Sequence, residues 1–328
     1  ASFNSLIVTN GGQCTLGGNW GAVGNGGANN TLAVTGTGSV LRVPVNFLAV
    51  GGGGGNVLRI EKGGQFEGYV YLGGNNESVI VTNGGRIVGG SAGAGLLTGG
   101  YGGVNWGSPN NSKIVITGNG SYLSGCVWSR LGTSGASPSF ADNQLIIDDH
   151  AVVSNTLGLP FQVAWSDAGI ARGNGLIVTN GGRFFMVSGN HAIAYGNQAS
   201  NNTALVTGTD SLWNLGGGNL TIGQGTGAAS RVVMNSLTVR DNGVVTNISA
   251  LTVTASNTVN LCGGWLVVNT FTNAPGGQIG IDLDAPGNLA VLGNATLSGY
   301  VCPTNLPRVG RRTCRVLTYG GTLTGSPS

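Results

Sequence analysis

One phrase returns throughout the chain: a short apolar stretch, then Thr, then Asn or Gly, then Gly. It reads Leu6-Ile7-Val8-Thr9-Asn10-Gly11-Gly12, Val79-Ile80-Val81-Thr82-Asn83-Gly84-Gly85 and Leu176-Ile177-Val178-Thr179-Asn180-Gly181-Gly182. Shorter copies are Leu32-Ala33-Val34-Thr35-Gly36, Ile114-Val115-Ile116-Thr117-Gly118 and Ala204-Leu205-Val206-Thr207-Gly208, with looser ones at Leu58-Arg59-Ile60-Glu61 and Leu145-Ile146-Ile147-Asp148. The markers Val8, Val34, Ile60, Val81, Ile116, Ile147, Val178 and Val206 lie 26, 26, 21, 35, 31, 31 and 28 residues apart. Such self-similarity means a repeat architecture. The period is too long for a hairpin and too variable for helical repeats. It suits one turn of a parallel β-helix, three short strands with bends, in which loop insertions change the length of a coil. No six-residue period is visible, which disfavours the hexapeptide solenoids.

Composition supports the same geometry. Of 328 residues 64 are Gly, while only 8% are charged and 40% are apolar. Glycine is costly inside helices, so a helical protein is excluded. Collagen is excluded because the glycines follow no three-residue period, and charge-driven disorder is excluded by the apolar content. Asn-Gly and Gly-Gly supply the positive φ angles of sharp bends. β-Branched residues in strands of three to five point inward, each stacked on its counterpart about 4.8 Å away in the next coil. Stacked Asn and Thr can form ladders between coils. The expectation is an all-β, right-handed parallel β-helix of about twelve coils, a rod on the order of 55 Å long. Residues 1–301 form the repeats, and 302–328, with Pro303, Pro307 and four arginines, form a modified C-terminal coil of the same domain.

The charge is local. Residues 1–307 hold ten basic and eleven acidic side chains, whereas Arg308, Arg311, Arg312 and Arg315 stand together without an acid. Nucleic-acid binding needs a basic stripe along the contact surface, so that class is set aside. No apolar run approaches the ~18 residues of a membrane span, so no membrane insertion is expected. The start at Ala1 instead of Met reads as a processed, secreted chain.

Motifs for chemistry are sparse. Asp148-Asp149-His150 is the best local pair of carboxylates for general acid and base work, but these residues fill slots that Thr, Asn and Gly occupy elsewhere, the marks of an exposed turn. Asp282 and Asp284, two apart in an extended phrase, are expected on one strand face. His150, His191 and the cysteines show no metal-ligand spacing, and no Gly-x-Ser-x-Gly phrase is present. The sequons at Asn29, Asn110 and Asn247 are expected by chance in an Asn- and Thr-rich chain. Six tryptophans, Trp20, Trp106, Trp128, Trp165, Trp213 and Trp265, offer either a sugar-stacking platform or, more simply, core and bend fillers. Five cysteines fit an oxidising compartment. Cys302 and Cys314 flank the Arg-rich break as a candidate disulfide, Cys126 and Cys262 read as small buried residues, and an odd count leaves at least one thiol unpaired within the chain.

Several phrases resemble bacterial autotransporter passenger domains and related secreted β-helix proteins: Asn201-Asn202-Thr203-Ala204-Leu205-Val206-Thr207-Gly208-Thr209-Asp210-Ser211-Leu212-Trp213 followed by Leu220-Thr221-Ile222-Gly223, then Leu289-Ala290-Val291-Leu292-Gly293-Asn294-Ala295-Thr296-Leu297-Ser298-Gly299 and Val316-Leu317-Thr318-Tyr319-Gly320-Gly321-Thr322-Leu323-Thr324-Gly325. The resemblance implies an exported right-handed β-helix, at the cell surface or extracellular. The reading that follows is a structural, non-enzymatic protein without a cofactor. Its expected partner is itself, in a head-to-tail filament or surface layer, because the first repeat begins by Leu6 and open terminal coils template further strands. Leu6, Val8, Cys14, Leu317, Tyr319 and Leu323 are the candidate assembly interface. An adhesin that binds a host surface or glycan is the alternative, and a polysaccharide lyase or glycoside hydrolase the second alternative.

Overall fold

The computed structural model describes residues 1–17, 20–89, 96–99, 110–125, 129–134, 139–155, 160–166, 169–304 and 317–325. Among these residues all regular structure is β, and every strand pair is parallel. Antiparallel contacts occur only as isolated bridges, Arg240 with Gly263 and Cys262 with Pro286. The fold is a parallel β-helix, as the repeat demands.

Its first face is a twelve-stranded sheet that begins with Ser5–Val8 and ends with Tyr300–Thr304, one strand per coil. The marker residues stack directly: Val8 on Val34, then Ile60, Val81, Ile116, Ile147, Val178 and Val206. The column continues where the sequence phrase fades, through Val239, Leu261 and Ile281 to Pro303. The remaining faces form a twenty-stranded sheet, because long strands such as Leu212–Gly225 and Val244–Val253 wrap from one face to the next. At that corner the pairing shifts between Asn214 and Gly218, and Gly216 and Gly217 take φ of 61° and 82°, angles open to a residue without Cβ.

A four-stranded sheet, Ser139–Ala141, Ile170–Arg172, Gln198–Ser200 and Arg231–Val233, accounts for the longer period from Ile116 to Val239. The coils that carry this extra strand span 31, 31, 28 and 33 residues between markers, whereas the last three coils, without it, span 22, 20 and 22. Small side chains under it, Ala164, Ala171, Ala194, Ala199 and Val232, make a separate core cluster. The main core is one continuous cluster from Val8 to Leu297. At its middle Phe161 meets Phe184 edge-on at 5.0 Å, and Phe184 stacks on Trp213 at 6.3 Å and 7°.

A buried polar ladder runs beside the apolar columns. Asn4, Asn30 and Asn56 occupy one slot just before the first face, as do Asn143, Asn174, Asn202, Asn235 and Asn257 further on. In each step the Oδ1 of the later coil accepts both the backbone N–H and the side-chain amide of the earlier one. Asn30 donates to Asn56 at 2.9 Å by both groups, Asn202 to Asn235 at 3.0 Å by both, and Asn235 to Asn257 at 3.0 and 2.9 Å. The ladder satisfies backbone groups that the bend takes out of the sheets. Four coils depart from Asn, with Glu77, Ser112 and, past Asn257, Gly277 and Gly299 in the slot. Glu77 accepts from Asn56 N at 2.6 Å and from Asn56 Nδ2 at 3.2 Å, and its own N–H donates to Ser112 Oγ at 3.1 Å. Burial raises the Glu77 pKa above its ordinary value, and the donations from Asn56 and Gly54 oppose that shift.

Two substitutions test this frame. Val178 is fully buried between coils, so Val178→Asp places an unpaired carboxylate in the core and costs on the order of 3 kcal/mol or more; a urea midpoint equal to wild type would mean the strand phase is wrong. Asn202→Ala strands the Asn174 N–H and amide and frees the Ala171 carbonyl, a loss of about 3 kcal/mol. Thr203→Ala, one residue away on the outer surface, changes stability by less than about 0.5 kcal/mol in the same titration.

Candidate functional site

The acidic turn is an exposed bend, as its place in the repeat implies. Asp148 closes strand Gln144–Asp148 in register with Thr117. Its Oδ2 accepts from Thr117 Oγ1 at 3.2 Å and its Oδ1 from Asn180 Nδ2 at 2.8 Å, so it is one rung of a corner ladder. Asp149 and His150 follow with φ of 48° and 61°, exposed and 3.3 Å from each other. Asp282 and Asp284 do not share a strand face, which corrects the expectation from their spacing. The strand ends at Asp282, whose Oδ1 accepts the backbone N–H of Asp284 at 2.9 Å and of Ala285 at 3.3 Å. That Asx-type closure turns the chain, and Asp284 lies in the exposed bend. Among the described residues no group of three His, Cys, Asp or Glu is placed to hold a metal ion.

The cysteines and tryptophans disperse. Cys14, Cys262 and Cys302 carry half-buried free thiols. Cys126 and Cys314, the expected partner of Cys302, lie outside the described residues. Burial and the nearby Asp282 and Asp241 carboxylates push the Cys262 thiol up, with Arg240 acting the other way, which leaves it a poor nucleophile. Trp213 belongs to the core, Trp165 is half-buried and Trp265 stands on the outer surface. Trp106 and Trp128 lie outside the described residues, and of Trp20 only the strand placement is given. Trp213 and Trp265 do not share a stacking surface.

His191 is a titratable group that spacing did not single out for any role. It is buried in strand Asn190–Gly196, and its Nδ1 accepts the Phe161 N–H at 3.0 Å. That bond fixes the neutral tautomer, with the proton on Nε2. Burial lowers its pKa to about 4, against smaller opposing effects of the Val187 and Leu215 backbone.

The candidate assembly residues fall at opposite ends of the sheet order. At the first coil Leu6 is 51% and Ile7 57% exposed, and Phe3 also stands free. Val8 is corrected: it is 7% exposed and part of the core, because the second coil closes over the inward end of this strand. Cys14 and Leu16 pack half-buried against that core. The solenoid interior opens here as a hollow of about 510 Å³ lined by Leu6, Leu16, Leu32 and Leu48 with Asn4 and Asn30. At the far end Leu317 packs on the core, stacked on Leu289, while Tyr319 and Leu323 are 48% and 39% exposed. The described part of the C-terminal segment thus continues the columns, and the four arginines at 308–315 lie outside the described residues.

No family model matches the chain, and no curated protein matches it. Among solved structures it is similar to the crystal structure of a TibC-catalyzed hyper-glycosylated TibA55-350 fragment, at 11% identity and a TM-score of 0.36, over 100% of this chain and 97% of that one. At that distance the likeness adds nothing to what this chain's own residues say of function.

His191 makes stability depend on pH. A histidine whose folded pKa lies below its ordinary 6.5 contributes stability that is complete above 6.5 and is lost as pH falls toward about 4. Over that window a loss of about 3 kcal/mol is expected from this group. Urea midpoints measured across it should show the slope in wild type, while His191→Phe, weaker at neutral pH because Phe161 N–H loses its acceptor, should show it no longer.

Proposed function

We propose that this chain is an exported structural β-solenoid that extends coil by coil, its last coil docking on the first coil of a further copy. The observation that carries the reading is the chemistry of the first coil. Among the described residues its strand Ser5–Val8 has one neighbour, Thr31–Thr35, and so offers a second edge of N–H and C=O groups to a parallel strand. Beside that edge lie the apolar hollow with Leu6 and, at the start of the polar ladder, Asn4, which donates forward to Asn30. A strand edge and an apolar interior are what every internal coil presents to its neighbour, and most add the Asn rung. A contact of first coil on last coil is heterologous and propagates when rotation does not close a ring. Export is supported by the five cysteines, the low charge and the resemblance of the repeats to passenger domains.

Light scattering across concentration tests the proposal. The native chain should grow into elongated particles. Leu6→Lys, at an exposed position, should arrest growth without lowering the melting temperature, and Leu323→Lys should do the same from the other end. A native chain that neither elongates nor responds to these substitutions would refute it.

A further inference from the structure

The repeated phrase holds one more apolar residue than the core uses. In Val79-Ile80-Val81, Ile114-Val115-Ile116, Leu145-Ile146-Ile147, Leu176-Ile177-Val178 and Ala204-Leu205-Val206 the outer two side chains are buried and the middle one is half-exposed. Register stacks the middle residues into one outward column: Ile80, Val115, Ile146, Ile177 and Leu205. Continuous apolar strands are the mark of a parallel sheet covered on both faces. Among the described residues the solenoid interior covers only one.

We infer that this outer face is a lateral interface at which a second copy of the chain pairs. Three observations select that occupant. First, the face is periodic, with unbroken register from coil to coil, and most of the column is β-branched, so little side-chain freedom is lost on burial. Second, its size suits self-pairing. Three columns of outward residues across five coils cover roughly 500 Å² at sheet spacings, so a pair buries about 1,000 Å², the lower bound of a specific interface. Third, the margins carry one charge of each sign, Lys113 in the row before the column and Asp148 in the row after it, so the same surface turned on itself can set opposite charges across the contact. Thr82, Thr117, Thr179 and Thr207 complete the second margin without charge. Coils beyond this stretch break the column with Arg59 on one side and Thr238 and Asn260 on the other, which bounds the patch.

An isologous two-fold pair closes on itself, unlike the end-to-end contact proposed above. The two are therefore separable. Sedimentation velocity on the full chain carrying Leu6→Lys, with its end blocked, should show a discrete dimer. Adding Ile146→Thr and Ile177→Thr, which place on the face the residue found naturally at 238, should weaken the dimer at least about a hundredfold and leave the melting temperature and circular dichroism unchanged. A monomeric Leu6→Lys chain, or a dimer indifferent to the two threonines, overturns the inference. If Leu6→Lys still forms open-ended particles, the head-to-tail reading fails, and the response to the threonines continues to decide this one.

Discussion

Like stacks on like in this molecule, and that constraint governs everything else. A parallel register between coils puts each side chain above its counterpart about 4.8 Å away, so a residue type is acceptable only if it packs on itself or a near relative. Apolar columns satisfy that by interdigitating methyl groups. A polar residue inside the same register needs a group that can both donate and accept along the axis. Asn has both in one short side chain. This is why an amide, not a charge pair, lines the buried corner in eight coils, and why Glu77 is an exception whose carboxylate accepts from Asn56 but cannot donate onward through its side chain.

Much of this architecture is legible in the sequence because the period-two strand pattern and the turn chemistry agree. The marker valines and isoleucines predicted from the repeat are the ones found in register, and the Asn-Gly pairs at 10–11, 83–84 and 180–181 take the left-handed angles their bends require. What was not legible follows from the same physics. The Asn ladder was foreseen only in general terms, although its signal is present: an Asn two residues ahead of the first inward side chain in Asn30-Thr31-Leu32, Asn56-Val57-Leu58, Asn174-Gly175-Leu176 and Asn235-Ser236-Leu237. The fourth strand of the middle coils carries no shared phrase, since its inward residues are small and its neighbours irregular. Val8 looked terminal by position, yet burial in a solenoid depends on which neighbour covers a residue, and the second coil covers it. Asp282 and Asp284 looked like strand neighbours until the side-chain oxygen of the first closed a turn.

The candidate sites show how little of the chemistry-bearing inventory stands in functional geometry. Asp148 serves a corner, Asp282 caps a bend, and His191 holds the Phe161 amide beside an aromatic stack. Each is used to satisfy a backbone or ladder partner. The surfaces that remain unsatisfied are of another kind: a strand edge with an open hollow at the first coil, and an outward apolar column along the first sheet. Both are the surfaces on which the proposed contacts between copies rest.

The unequal coils have a consequence for how such a rod can vary. Coils with and without the extra strand share the same apolar columns, although coil lengths range from 20 to 35 residues between markers. The circumference is therefore adjustable at one corner while the stacking axis stays in step. Closing a longer loop costs little entropy once its ends are held. A segment grafted at the corner of the extra strand, just ahead of the first face, would be carried outward like a pennant on a mast, its spacing to its neighbours set by the coil repeat and its content free to change.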